Sequence, residues 1–298
     1  MLGYIKSPMN YTGGKYKLLP YILPSFPGEL SRFVDLFAGG LNVGINVQAD
    51  VIYANDQITY LIELYRMFQR MELEELLTAI QARIAQFDLS QTNEAGYRAL
   101  RAEYNQSRSL LDLLMLSFYS FNHQIRFNSR HEFNMPFGRN RSSYNPSIER
   151  NLVRFCSALH QKNVILSAGD FRSFDVPALS AQDLVYCDPP YRITTGAYND
   201  GKRGFQDWTA AEDRDLLELL DYLNGRGVRF ALSNVLVHKG QSNDMLIAWS
   251  KQYHVTYLDK TYSNCSYHLK DRDAKTVEVL ITNYEWEEPR CQPIASAK

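Results

Sequence analysis

The chain has 298 residues, 45 % hydrophobic and 22 % charged. These are ordinary globular values, with length enough for one large or two small domains and a substantial core. Collagen-like, fully disordered and disulfide-framework proteins are excluded. No apolar run is long enough to span a bilayer, and residues 1–17 are polar without a signal-like apolar core. The expectation is a cytoplasmic protein with no membrane association. Lysine and arginine total 32 against 33 aspartate and glutamate, a net charge of -1. Any affinity for nucleic acid must therefore come from local patches. Cys156, Cys187, Cys265 and Cys291 are scattered without a C-x-x-C pair, which speaks against structural zinc and for reduced thiols. The 20 tyrosines suit either a stacking surface or the edge of a core.

In chain order, residues 32–37 read as a buried strand ending in Ala38-Gly39-Gly40, and 41–47 as the start of a short helix. A second strand, 50–54, closes with Asn55 and Asp56. Helical spacing follows over 58–69, 73–87 and 93–104, and 110–121 is apolar nearly all round, as a buried helix is. From 122 to 145 the period is lost and Asn, Arg, Ser and aromatic residues dominate, before helix returns over 147–160. Residues 163–167 and 183–187 are strand-like. Thr209 and Glu212 form a capping box, and Gly225 and Gly227 close the helix it opens. Residues 228–233, 254–262 and 276–284 are strand-like, and Ser233-Asn234 is read as a strand end. Strands alternating with helices at both ends of the chain predict an α/β sheet covered on both faces, with a helical and irregular insertion between. The last two strands are expected to form an antiparallel edge hairpin.

Three motifs carry chemistry. Asp188-Pro189-Pro190-Tyr191 follows a strand. Its prolines enforce a rigid exit, leaving Asp188 at the carboxyl end of the sheet, where α/β proteins bind ligands. A carboxylate, a carbonyl and an aromatic ring together suit a planar heterocycle bearing an amino group; a Pro-rich turn capped by Asp is the bland alternative. Asp35-Leu36-Phe37-Ala38-Gly39-Gly40 lets backbone approach a ligand, unless it is a plain tight turn. Asp56, about twenty residues on, stands where dinucleotide folds bind ribose hydroxyls. With neither G-x-G-x-x-G nor a Walker lysine present, a nucleoside-sized ligand is favoured over a pyrophosphate cofactor. Asn10-Tyr11-Thr12-Gly13-Gly14-Lys15 offers a turn, an aromatic ring and a cation for a ligand carboxylate, and taken alone it also reads as a surface turn. Residues 122–154 hold six arginines (Arg126, Arg130, Arg139, Arg141, Arg150, Arg154) and two glutamates (Glu132, Glu149), a local net of +4. Arginine suits bidentate contact with guanine and phosphate. A solvated loop paired with acids elsewhere is the competing reading.

In this order the motifs resemble the Dam-type adenine-specific DNA methyltransferases (the D12, or group alpha, class). The stretch from Arg126-Phe127-Asn128 to Glu132-Phe133-Asn134-Met135-Pro136-Phe137-Gly138 is similar to that family's target-recognition hairpin, and Ile281-Thr282-Asn283-Tyr284 to its closing strand. The resemblance covers roughly residues 5–285. It implies a Rossmann-like methyltransferase sheet (1–57 and 163–288), an inserted DNA-recognition domain (58–162) and a polar tail (289–298). S-adenosyl-L-methionine would be the methyl donor. Tyr11, Lys15, Asp35, Phe37, Gly39, Asp56, Asp170, Phe171 and Asp188 would line its site; the family commonly has Trp where this chain has Tyr11. Asp188, Pro189, Pro190 and Tyr191 would be catalytic, with Asp188 and the Pro189 carbonyl accepting hydrogen bonds from the N6 group of an adenine flipped out of duplex DNA and Tyr191 stacking on it. Asn122, Arg126, Asn128, Arg130, Arg139 and Arg141 would face the DNA. Asn140-Arg141 replaces the aromatic-basic pair of the Dam subgroup, so GATC is not implied as the target. The expected setting is a modification enzyme of a restriction system, acting as a monomer, with a cognate endonuclease acting separately and no metal. An RNA or other amine substrate, and a non-catalytic DNA binder on this scaffold, are the competing readings.

Overall fold

The Arg32–Asp35 strand (β1) is apolar on both faces, as a strand between two parallel neighbours must be. A computed structural model describes residues 3–11, 13–174, 179–194, 198–199, 205–206, 208–258 and 276–286. The loop 264–275, His268, Cys265, Cys291 and the tail 289–298 lie outside these.

Beside β1 run β2 (Val51–Asp56), β3 (Val164–Ala168), β4 (Leu184–Cys187), β5 (Arg229–His238), β6 (His254–Tyr257) and β7 (Val277–Thr282). The sheet order is β3-β2-β1-β4-β5-β7-β6. The first five strands are mutually parallel, and β7 is antiparallel to both β5 and β6. This is the expected α/β architecture. The strand order reverses between β1 and β4, which places a topological switch point at their carboxyl ends.

Side chains alternate between the two faces, as the two-residue strand period requires. Phe33, Leu184, Tyr186 and Leu280 enter one core, and Val34, Val185, Cys187 and Ile281 the other. The second core is closed by α6 (Ala210–Gly225), whose Thr209–Glu212 capping box is formed, and by α7 (Asp244–Ser250). The first core continues into α1 (Thr59–Arg70), α2 (Leu73–Phe87), α3 (Glu94–Ser107), α4 (Leu110–Tyr119) and α5 (Pro146–Gln161). In α4 every residue from Asp112 to Tyr119 is buried, which accounts for its nearly unbroken apolar sequence. On the β3 edge, Arg66 and Gln69 of α1 donate to the Leu166 and Val164 carbonyls (2.8 Å each). That occupies groups a second sheet would otherwise pair with.

Two expectations are corrected. Ser233-Asn234 does not end a strand: β5 runs on to His238, because both polar side chains are satisfied where they are buried. Ser233 Oγ shares a hydrogen bond with the Tyr186 hydroxyl (2.8 Å), and Asn234 Oδ1 accepts the Val235 amide (2.7 Å). The region 41–47 forms only a 3-10 turn, Gly44–Asn46. The antiparallel pair expected of the last two strands is present at the sheet edge, with β6 outermost and β7 between it and β5.

Candidate active site and nucleic-acid face

The prolines after β4 bring Asp188 to the switch point. Lys15, in a 3-10 turn directly after Gly13-Gly14, reaches it from the other end of the chain: Nζ lies 2.9 Å from Asp188 Oδ1 and 3.5 Å from Glu278 Oε1. The Tyr191 hydroxyl donates to the same Asp188 oxygen (2.8 Å) and lies 3.2 Å from Glu278 Oε1. The ammonium also sits over the Tyr191 ring, 4.9 Å from its centroid. Both contacts thus fall on Oδ1 of Asp188 and neither on Oδ2. Burial raises the Asp188 carboxyl above the usual carboxylate range, while the Lys15 charge and the hydrogen bonds from Lys15 and Tyr191 pull it back. Lys15 is itself only 5 % exposed. It is no surface turn residue, and its cation faces the site's own carboxylates.

Glu278 was not identified from the sequence. It sits at a register shift between β7 and β5, where Val277 opposes Val237 and Glu278 opposes Val235. Such bulges re-aim side chains next to functional sites. The only available signal is a lone acid inside the apolar run Val277 to Ile281.

The loop after β1 is held from three sides. Gly39 donates to Asp56 Oδ2 (2.7 Å), its carbonyl accepts from the Tyr65 hydroxyl (2.7 Å), and Ala38 donates to the Asn55 carbonyl (2.8 Å). Asp56 also accepts the Ile58 amide at the start of α1 (2.8 Å). Gly39 has φ +45°, and a Cβ there would lie 2.9 Å from Tyr11 Cε1. The first two motifs are therefore packed against each other. Asp35, at the end of β1, is fully buried and accepts the Gly44 amide (3.0 Å). Burial pushes its carboxyl up to about 8, with the charges of Asp188 and Asp56 adding and the Gly44 amide opposing.

Beyond this loop the carboxyl ends of β1, β2 and β3 surround a pocket of roughly 430 Å³, part of it open solvent, lined by Phe37, Asn55, Gln57, Asp170, Phe171 and Trp208 among others. The Phe37, Phe171 and Trp208 ring centroids are 5.3–5.6 Å apart. Asp170 is turned toward Arg172, whose guanidinium also meets Glu212 and Asp215. Asn55, Gln57 and Trp208 were not singled out from sequence, although Trp208 immediately precedes the Thr209 cap.

The stretch after α4 folds back on itself. Phe127 and Phe133 form an isolated antiparallel bridge, as do Ser120 and Phe137. Asn105 of α3 both accepts from the Phe133 amide (2.8 Å) and donates to its carbonyl (3.2 Å). The Tyr97 hydroxyl donates to the Met135 carbonyl (2.8 Å). Asn128 closes the turn, accepting from the Arg130 and Glu132 amides and donating to the Glu132 carboxylate. The arginines are exposed but engaged: Arg126 with Asn134, Arg130 with Glu132, Arg139 with Glu94, and Arg141 with Asn122 and over the Phe121 ring. The Asn122 carbonyl accepts from Asn10 (2.7 Å), joining this face to the N-terminal motif. Among the described residues there is no His/Cys/Asp/Glu group able to hold a metal, and no helix long and apolar enough to cross a membrane.

The sheet order, with Asp-Pro-Pro-Tyr at the end of β4 beside the switch point, defines a Rossmann-like methyltransferase fold. The chain belongs to the D12 class N6 adenine-specific DNA methyltransferase family, whose model matches residues 11–273. It is 50 % identical over 281 residues to the type II methyltransferase M.FokI of Planomicrobium okeanokoites, covering 94 % of this chain and 43 % of that one. It is 48 % identical over 284 residues to the modification methylase StsI of Streptococcus sanguinis, covering 95 % and 43 %. It is also 30 % identical over 232 residues to the DNA adenine methylase of Escherichia coli strain K12, covering 76 % and 79 %. The chain thus spans less than half the length of the first two relatives.

Proposed function

We propose that this chain transfers a methyl group from S-adenosyl-L-methionine to N6 of an adenine flipped out of duplex DNA, as the modification activity of a restriction system. The observation that carries the reading is the convergence of Lys15 and Tyr191 on one oxygen of Asp188, at the mouth of the switch point. The names of M.FokI and StsI support the restriction setting. The residues present fit the donor. The aromatic trio with Asn55, Gln57 and Asp170 suits a purine, and the Gly39 turn packed on Tyr11 gives a close backbone approach. Tyr11, Lys15, Asp35, Phe37, Gly39, Asp56, Asp170 and Phe171, joined by Trp208, are the proposed donor site.

When bound, the donor supplies an electrophilic methyl on a positively charged sulfur that becomes neutral on departure. The chain's own task is the amine. Adenine N6 is a poor nucleophile because its lone pair is delocalised into the ring. Asp188 Oδ2 and the Pro189 carbonyl, accepting the two N6 hydrogens, favour a tetrahedral nitrogen with its lone pair free. Lys15 keeps Asp188 ionised beforehand, and burial leaves the carboxylate basic enough to take the proton that N6 releases as the carbon–nitrogen bond forms. Orientation supplies much of the remaining acceleration. Extrusion of the base costs a few kcal/mol, which stacking on Tyr191 offsets in part. Asn122, Arg126, Asn128, Arg130, Arg139 and Arg141 form the proposed DNA face. Residues 1–57 and 163–288 are the proposed catalytic part and 58–162 the recognition part. A monomer suffices for one flipped base, and the setting is the cytoplasm, with the nuclease a separate protein.

The test is methyl transfer from labelled donor to mixed-sequence duplex DNA and to RNA, with Asp188→Ala alongside, followed by nucleoside analysis. Label in N6-methyladenine of DNA, lost in the variant, is expected. Donor binding without label in DNA overturns the substrate assignment.

A further inference from the structure

Asp213, on the first turn of α6, is 5 % exposed and belongs to none of the groups above. Its Oδ1 accepts the Trp208 indole N–H (2.7 Å). Its Oδ2 accepts Arg192 Nε (3.0 Å) and Asn243 Nδ2 (3.1 Å). Arg192 Nη2 closes the cluster on Asn243 Oδ1 (2.9 Å), and the same Asn243 oxygen caps α7 through the Leu246 amide (3.3 Å). Trp208 is a wall of the aromatic pocket, and Arg192 directly follows Tyr191. One buried carboxylate therefore holds the pocket wall with one oxygen and the exit from Asp-Pro-Pro-Tyr with the other. Its backbone is fixed by the buried Leu216, Leu217 and Leu220 of the same helix.

We propose that Asp213 is a positioning residue that couples the aromatic pocket to the placement of Asp188 and Tyr191. This rests on the reading that the donor's purine occupies that pocket. A purine stacking on Trp208 fixes the indole plane, and the indole N–H fixes Oδ1. The carboxylate pivots as a unit about its Cβ, so a fixed Oδ1 also fixes the oxygen that anchors Arg192. Coupling of this kind is reciprocal: what loosens Arg192 weakens the donor, and what loosens Trp208 misplaces the catalytic loop. A merely structural polar cluster would not carry the effect of Arg192 to the donor, because Arg192 is not among the pocket residues.

The experiment is a double-mutant cycle of Trp208→Phe, which keeps an aromatic wall but removes the N–H, and Arg192→Met, which keeps the stem but removes the guanidinium. Donor affinity is measured by equilibrium dialysis of labelled S-adenosylmethionine. The rate is measured by single-turnover methyl transfer to duplex DNA at saturating donor. Arg192→Met is expected to weaken donor binding about fivefold or more, and Trp208→Phe to slow the saturated rate. The double variant should be no worse than the poorer single one. Asp213→Asn, with folding followed by its melting curve, should reproduce both losses. Independent effects that multiply in the double variant, or an unchanged donor affinity in Arg192→Met, would overturn the coupling. A wild-type chain that binds no donor would instead overturn the proposed function.

Discussion

Lys15 donates to Asp188 Oδ1 at 2.9 Å, from an ammonium that is almost completely buried. The charge has one evident use: it keeps a carboxylate ionised where burial favours the neutral acid. Lys15→Met should therefore raise the proton affinity of Asp188 further. In the proposed reaction the acceptor for N6 hydrogens must be ionised, so activity should rise with pH through the Asp188 titration, and its ascending limb should move to higher pH in the variant. At neutral pH the single-turnover rate should fall about 10²-fold or more. Lys15→Arg, which restores charge without the fit, should lie between. A pH–rate profile of unchanged shape and position would remove Lys15 from this role.

How much of this was readable in advance depended on whether the signal was local. The capping box at Thr209–Glu212, the buried α4 and the end of β4 just before Asp188 each follow from neighbouring residues, and the structure has all three. Glu278 carries no such signal, because its role comes from a bulge against β5 and a lysine from the opposite end of the chain. Ser233-Asn234 misled for the same reason. Polar residues look like a strand end until the Tyr186 hydroxyl, on a neighbouring strand, is there to satisfy one of them. The hairpin's arginines were visible as a charge cluster, but their partners, such as Glu94 on α3, were not.

Gly39 tests the packing between the first two motifs. At φ +45° any L-residue carries a left-handed penalty of roughly 1–2 kcal/mol. An alanine methyl would also sit 2.9 Å from the Tyr11 ring. The turn cannot easily retreat, because Asp56 and Tyr65 hold its amide and carbonyl. Gly39→Ala should lower the melting temperature by several degrees, at roughly 2–4 °C per kcal/mol for a chain of this size. It should also weaken donor binding at least about tenfold, the result expected when backbone can no longer approach a ligand closely. Adding Tyr11→Ala should recover part of the thermal loss and none of the donor affinity. Recovery of both would place Tyr11 outside the donor site.

Asp35 gives the fold a pH dependence of definite sign. Its folded carboxyl titrates at about 8, against an ordinary value of 3.8. The native state therefore binds this proton more tightly than the unfolded chain does. The stability it confers is complete below about 3.8 and is lost progressively as pH rises toward 8. Asp35→Asn keeps the acceptor for the Gly44 amide and removes the titration. Between pH 5 and 8 the wild-type melting temperature should fall relative to that of the variant, the gap closing at the acid end, for a total on the order of a few kcal/mol. Parallel curves for the two proteins would mean that Asp35 is already ionised in the fold.

On the proposed DNA face Arg139 is already paired, 2.8 Å from Glu94 and 58 % exposed. Exposed pairs of this kind are weak and exchange readily, so the guanidinium can leave Glu94 for a phosphate or a guanine. Glu94→Gln removes the competitor and should strengthen duplex binding a few-fold. Arg139→Ala should weaken it, and if Arg139 contacts a phosphate it should reduce the slope of log affinity against log salt by roughly one. Arg126, held by Asn134 on the same face, should behave differently if it reads a base. Arg126→Ala would then cost about 1–3 kcal/mol on the preferred sequence and relax discrimination at one position, with little change in non-specific binding. Salt-dependent titrations of the three variants on cognate and random duplexes separate these outcomes. Equal loss on both duplexes for Arg126→Ala would make it a phosphate contact and move base reading elsewhere on the hairpin.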